Sequence, residues 1–208
     1  MKFYSKVFIL VMVLFSLASN NVIGQELGVI IFKTFEDYKD GNGRLYEGDF
    51  KLGSFGSSPG ISNRHLTLRN KDIRTTGNKR VKIKLKTVWG FSLNGLLFRV
   101  DKSTSYPHYL FYKGDFCYYE NGIAILKMVK SKGKLEENLF SYIDDSDWGG
   151  ATFFSKSIDS KMYKFSSKRG AGKVVDKFPE YQELFDCIFP TERKNLIKKT
   201  RDCVVTYK

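Results

Sequence analysis

Apolar and polar positions alternate most cleanly between Arg80 and Val129, and that stretch organises the chain. Val81-Lys82-Ile83-Lys84-Leu85-Lys86 has period two, with one face apolar and the other all lysine. The pattern predicts consecutive strands at Val81–Trp89, Phe91–Val100, His108–Tyr112, Phe116–Glu120 and Ile123–Val129. Asn94-Gly95 and Asn121-Gly122 sit between apolar or aromatic runs. Asn-Gly tolerates the positive φ angles that a type I′ hairpin needs, so both pairs predict tight antiparallel turns.

Upstream, Gly28–Phe32 is a short apolar run that reads as a buried strand. Thr34 is followed three residues later by Asp37, a spacing in which each side chain satisfies an orphan backbone donor. A short helix from Thr34 to about Gly41 follows, then the turn Asp40-Gly41-Asn42-Gly43 and a strand over Leu45–Leu52. Gly53–Asn63, rich in Gly and Ser, reads as a loop, and His65–Arg69 as another strand. Beyond the meander, Leu139–Ile143, Ala151–Phe154 and Met162–Phe165 are strand candidates, Asp144–Gly150 a loop, and Ser166–Gly172 a basic connector.

The period then changes. Tyr181, Leu184, Phe185 and Ile188 recur at helical spacing behind Pro179, which is tolerated in a first turn. Pro190 ends that helix, and Thr191 caps a second in which Leu196, Thr200, Cys203 and Tyr207 form a stripe beside Ile197 and Val204. The fold class expected is α+β: an antiparallel β-meander sheet of about seven to nine strands, partly curled, with two C-terminal helices from about residue 178.

The N-terminus changes where the chain is expected to reside. Lys2 and Lys6 precede the apolar run Val7–Leu17, and Val22 and Gly24 suit signal peptidase at −3 and −1. Residues 1–24 therefore read as a signal peptide and residues 25–208 as a single β-rich domain. The apolar run is shorter than the ~20 residues that cross a bilayer, so no transmembrane span is expected after cleavage. The destination is periplasmic or secreted.

The 208 residues carry 35 Lys+Arg against 22 Asp+Glu. Lys2 and Lys6 leave with the signal peptide and no acid does, so the mature net charge is +11. Such a balance suits polyanionic surroundings, but the cations are scattered among acids and read mainly as a solvated surface. The row Lys82, Lys84, Lys86 is the candidate polyanion-binding strip, weighed against its ordinary role of guarding a sheet edge.

Three cysteines remain: Cys117, Cys187 and Cys203. Two antiparallel helices about Pro190 would place Cys187 and Cys203 roughly 15 Å apart along the axis at 1.5 Å per residue. A bridge needs Cα atoms within ~7 Å. All three are therefore expected to be free, with Cys117 a small core residue.

Candidate chemistry is thin. Asp40-Gly41-Asn42-Gly43 resembles a calcium loop, but Tyr38 stands at its first ligand position and Asp49 at its twelfth. Asp144-Asp145-Ser146-Asp147 reads as a polar loop. Ser166–Val174 has the Gly-Lys of a phosphate loop with a misplaced first Gly and Val174 for the hydroxyl. His65 and His108 are too few for a three-His zinc site. A Cys117–His108 pair oriented by Asp115 is a conceivable nucleophile. The crowded rings Trp89, Phe91, Tyr106, Tyr109, Phe111, Tyr112, Phe116, Tyr118 and Tyr119 read as core rather than as a sugar-stacking face.

Phe32-Lys33-Thr34-Phe35-Glu36-Asp37-Tyr38, Val88-Trp89-Gly90-Phe91 and Gly114-Asp115-Phe116-Cys117-Tyr118-Tyr119 resemble motifs of uncharacterised exported proteins of Bacteroidetes-type bacteria. The resemblance implies export and a Lys-rich helical C-terminus. It implies no activity and no catalytic residue.

The resulting expectation is a non-catalytic envelope or secreted binding protein without a cofactor. Its partner is a protein, peptide or glycan of the cell envelope, with no specific nucleic-acid binding. The alternative is a hydrolase of envelope or host polymers whose paired carboxylates only the fold would bring together.

Overall fold

The computed structural model describes residues 28–47, 50–52, 65–69, 80–123, 125–126, 151–189 and 196–207. The signal-peptide segment, Gly53–Asn63, Leu139–Gly150 and the Thr191 cap lie outside the described residues.

The fold is α+β. An open antiparallel sheet of eight strands runs in the order β11-β10-β9-β8-β7-β6-β1-β2, and a three-stranded sheet in the order β3-β4-β5. The large sheet contains β1 (Gly28–Phe32), β2 (Arg44–Glu47), β6 (Gly90–Leu93), β7 (Leu96–Asp101), β8 (Tyr106–Lys113), β9 (Cys117–Asn121), β10 (Phe153–Ser155) and β11 (Tyr163–Lys164). The small one contains β3 (Phe50–Leu52), β4 (His65–Arg69) and β5 (Arg80–Lys84). Four helices accompany them: α1 (Phe35–Lys39), α2 (Lys168–Val175), α3 (Gln182–Ile188) and α4 (Leu196–Thr206).

Local chemistry explains several elements. Thr34 caps α1 as half of a capping box, with its side chain accepting from Asp37 N and Asp37 accepting from Thr34 N. Asn94 (φ 50°) and Gly95 (φ 79°) turn β6 into β7 with Leu93 facing Leu96, as Asn-Gly predicts. Tyr181, Leu184, Phe185 and Ile188 are all buried, so the helical stripe is the inward face of α3 and of the 3₁₀ turn before it.

Other expectations are corrected. The predicted strand Val81–Trp89 ends at Lys84, and a 3₁₀ turn over Leu85–Thr87 carries the chain from the small sheet to the large one. Leu45–Leu52 likewise divides between β2 and β3, which belong to different sheets. Asn121-Gly122 is no hairpin turn: Asn121 ends β9 and its side chain accepts from Ile123 N as helical backbone begins. Gly122 serves a close approach there, since a Cβ would lie 2.5 Å from the Pro107 carbonyl oxygen. The connector Ser166–Gly172 is largely helix, because Ser167 caps α2 by accepting from Gly170 N while Ala171 and Val174 bury one face.

Register sorts the large sheet into two faces. One carries Val29, Ile31, Phe91, Leu93, Phe98, Val100, Tyr109, Tyr118 and Phe154. The small sheet packs on the β1–β6–β7 end of that face through Leu66, Leu68 and Ile83, with Leu85 in the same cluster. The C-terminal helices pack on the β9–β10 end, where Leu184, Phe185, Ile188, Cys203 and Val204 meet Phe116, Tyr118 and Phe154. The opposite face carries Phe32, Arg99, His108, Cys117 and Tyr119, partly covered by Phe35 and Tyr38 of α1 and by Ile158 and Met162.

Cys187 and Cys203 form a disulfide with Cα atoms 6.0 Å apart, against the expectation of three free thiols. The error lay in starting the second helix at Thr191. Because α4 begins at Leu196, Cys203 lies only about 10 Å along it, and the residues between the helices return the chain to the level of Cys187. Cys117 is the free cysteine and is buried, as expected.

Candidate functional site

The committed thiol chemistry fails on geometry. Cys117 is 1% exposed and sits with Phe32, Trp89 and Tyr119, and burial pushes its thiol above the ordinary range. His108 pairs with Asn121 and Cys117 with Lys113, so the two side chains stand about 13 Å apart along β9. Asp115 lies in the exposed bend before β9, and no base reaches the sulfur.

The rings behave as core. Phe91, Phe98, Phe116, Tyr118 and Tyr119 are essentially inaccessible, while Tyr106, Phe111 and Tyr112 are half-buried. Phe116 alone meets Tyr112, Phe154, Tyr181 and Tyr207 within 6 Å or so. Rings spent on one another cannot present a stacking platform to a sugar.

A polar knot on the far sheet face escaped the sequence reading. Arg99 is 8% exposed, yet its hydrogen-bond acceptors are neutral: Nη1 donates to Tyr119 Oη at 3.3 Å and Nη2 to the Asp159 carbonyl at 3.0 Å. Tyr119 in turn donates to the Ile158 carbonyl, and burial pushes its hydroxyl up to about 12. Ser155 Oγ lies 3.1 Å from the same hydroxyl and donates to the Ser157 carbonyl at 2.7 Å. This network pins the 156–160 turn over the sheet. Its signal was available: Leu96-Leu97-Phe98-Arg99-Val100 places a cation inside a strand that is apolar on both faces.

His108 faces Arg99 across β7 and β8, packs at 4.0 Å against the Phe153 ring, and hydrogen-bonds through neither ring nitrogen. Burial lowers its pKa to about 4; Asp101 acts in the opposite sense and Arg99 in the same sense. Unfolded histidine protonates near 6.5, so between those values the unfolded chain binds more protons than the fold. The contribution is complete above about pH 6.5 and is lost as pH falls toward 4. From about pH 7.5 to about pH 5 it should cost about 2 kcal/mol. Urea unfolding of His108→Phe should show a correspondingly shallower pH slope; identical slopes for variant and wild type would refute this role.

The candidate polyanion strip is divided. Lys82 and Lys84 are exposed on β5, an edge strand among the described residues, and Lys86 lies in the 3₁₀ turn beyond it. Only the first two belong to one sheet face. Register adds what the linear sequence hid: Lys84 faces His65, Lys82 faces Thr67, Arg80 faces Arg69, and Lys51 faces Thr67 from the other side. Among the described residues, no helix is long and apolar enough to cross a membrane.

The chain matches no family model, no curated protein and no solved structure.

Proposed function

We propose that this chain is a non-catalytic binding protein of the bacterial envelope or its surroundings, exported after removal of residues 1–24. The observation that carries the reading is where the reactive groups lie. Cys117 and His108 are buried and apart, and Glu120 is held by Arg201 through two hydrogen bonds of 2.7 Å. The Cys187–Cys203 disulfide supports export, since such bonds persist in oxidising compartments. The resemblance to exported Bacteroidetes-type proteins points the same way. Surface cations remain as the groups that a partner would meet.

Incubation of the purified protein with peptidoglycan and envelope polysaccharide tests this reading. Retention without release of soluble fragments is expected, and Cys117→Ala should retain as much polymer as wild type. Release of fragments that disappears in Cys117→Ala would replace binding by hydrolysis.

A further inference from the structure

We infer that the outward face of the three-stranded sheet binds a linear polysaccharide bearing acidic groups. The inference rests on the binding-protein reading and names the chemistry of the partner. In linear sequence the cations are interleaved with acids, but the register of β3, β4 and β5 separates them. Phe50, Leu52, Leu66, Leu68, Val81 and Ile83 form one alternate set. Lys51, His65, Thr67, Arg69, Arg80, Lys82 and Lys84 form the other. All of the second set except Thr67 are Lys, Arg or His, and none is acidic. Thr67 is short and buried at the centre, leaving the exposed Lys82 and Lys84 beside it for a ligand to meet.

The grid is rigid. Arg80 to Lys84 spans about 14 Å along the strand, and neighbouring strands lie about 4.8 Å apart. Leu66, Leu68 and Ile83 fix it to the large sheet from beneath. A polymer with repeated carboxylate, sulfate or phosphate groups can engage several of these positions together, so weak single contacts multiply.

Other polyanions fit less well. The set contains no aromatic residue on which unpaired bases would stack, which disfavours single-stranded nucleic acid. The exposed large apolar side chains among the described residues, Leu45 and Val205, lie on β2 and α4, so this face offers nothing to enter a bilayer.

The test uses the purified protein on immobilised polygalacturonate and dextran sulfate, with neutral dextran, phosphatidylglycerol vesicles and single-stranded DNA alongside. Both acidic glycans should retain it and neutral dextran should not. Retention should fall steeply between about 0.1 M and about 1 M salt, as the screening length drops from about 10 Å to about 3 Å. Lys82→Gln/Lys84→Gln should weaken glycan binding about tenfold, and Lys86→Gln less than about twofold. Thermal melts matching wild type would show that the substitutions leave the fold intact. Equal losses in both variants, no loss in either, or no glycan retention at all overturns the inference. Preferential capture by vesicles or DNA overturns it as well. Undiminished glycan binding by the double variant would leave the binding-protein reading standing, whereas degradation of the polymer would refute that reading itself.

Discussion

Arg201→Met should destabilise the fold by about 3–5 kcal/mol, the largest single-substitution effect expected here. Glu120 is 1% exposed on the sheet face beneath α4, and both of its oxygens accept from the Arg201 guanidinium at 2.7 Å. Removing the guanidinium leaves a carboxylate surrounded by Tyr109, Tyr118 and the helix, with no water to replace the lost donors. Glu120→Gln should cost less, because the group left behind carries no charge. The double variant Glu120→Leu/Arg201→Met should recover most of the loss, since apolar groups of similar size need no desolvation and Met still covers the Phe111 ring that Arg201 overlies at 5.1 Å. Urea unfolding of the four proteins completes the cycle. A cost below about 1 kcal/mol for Arg201→Met would mean that the pair is solvated and does not hold α4 to the sheet.

Glu120 and Arg201 also mark where sequence reasoning stops. Each ends or interrupts an apolar pattern, and 81 residues separate them. Nothing local announces that they meet. The features read correctly were those whose physics is contained within a few residues. The Thr34–Asp37 capping box needs only its own turn, Asn94-Gly95 only its own φ angles, and the Tyr181–Ile188 stripe only helical spacing. The misreadings concern partners distant in sequence. Val81–Trp89 alternates throughout, but which sheet each half joins depends on β4 for one and on β1 and β7 for the other. Asn121-Gly122 resembles a hairpin turn because Gly serves two purposes, and the one in use depends on the Pro107 carbonyl lying across the sheet. The candidate site was legible in part. Lys82 and Lys84 stood out by period, whereas the register that aligns Arg80 with Arg69 and Lys51 with Thr67 belongs to the fold. The Arg99–Tyr119–Ser155 knot was readable in principle from a cation amid Leu, Phe and Val, although its acceptors at Ile158 and Asp159 were not.

Removing the disulfide in Cys187→Ala/Cys203→Ala should cost about 3 kcal/mol, the loop-closure value for residues 16 apart. The bridge and the Glu120–Arg201 pair hold the same helix: Cys203 ties α4 to α3, and Arg201 ties it to β9. With either tether cut, the other still keeps α4 over Phe116, Tyr118 and Phe154. With both cut, α4 loses its two specific attachments and relies on apolar packing. The losses should therefore be non-additive, with the triple variant falling further than the separate costs predict. Loss of near-ultraviolet circular dichroism before far-ultraviolet signal would report α4 lifting from the aromatic face. Thiol reagents should reach the bridge through Cys187, which is exposed, rather than through the buried Cys203. The reduced wild type should then unfold at the urea midpoint of the double alanine variant. If reduction leaves that midpoint unchanged, the bridge contributes nothing to holding α4, and the case for folding in an oxidising compartment loses its physical basis.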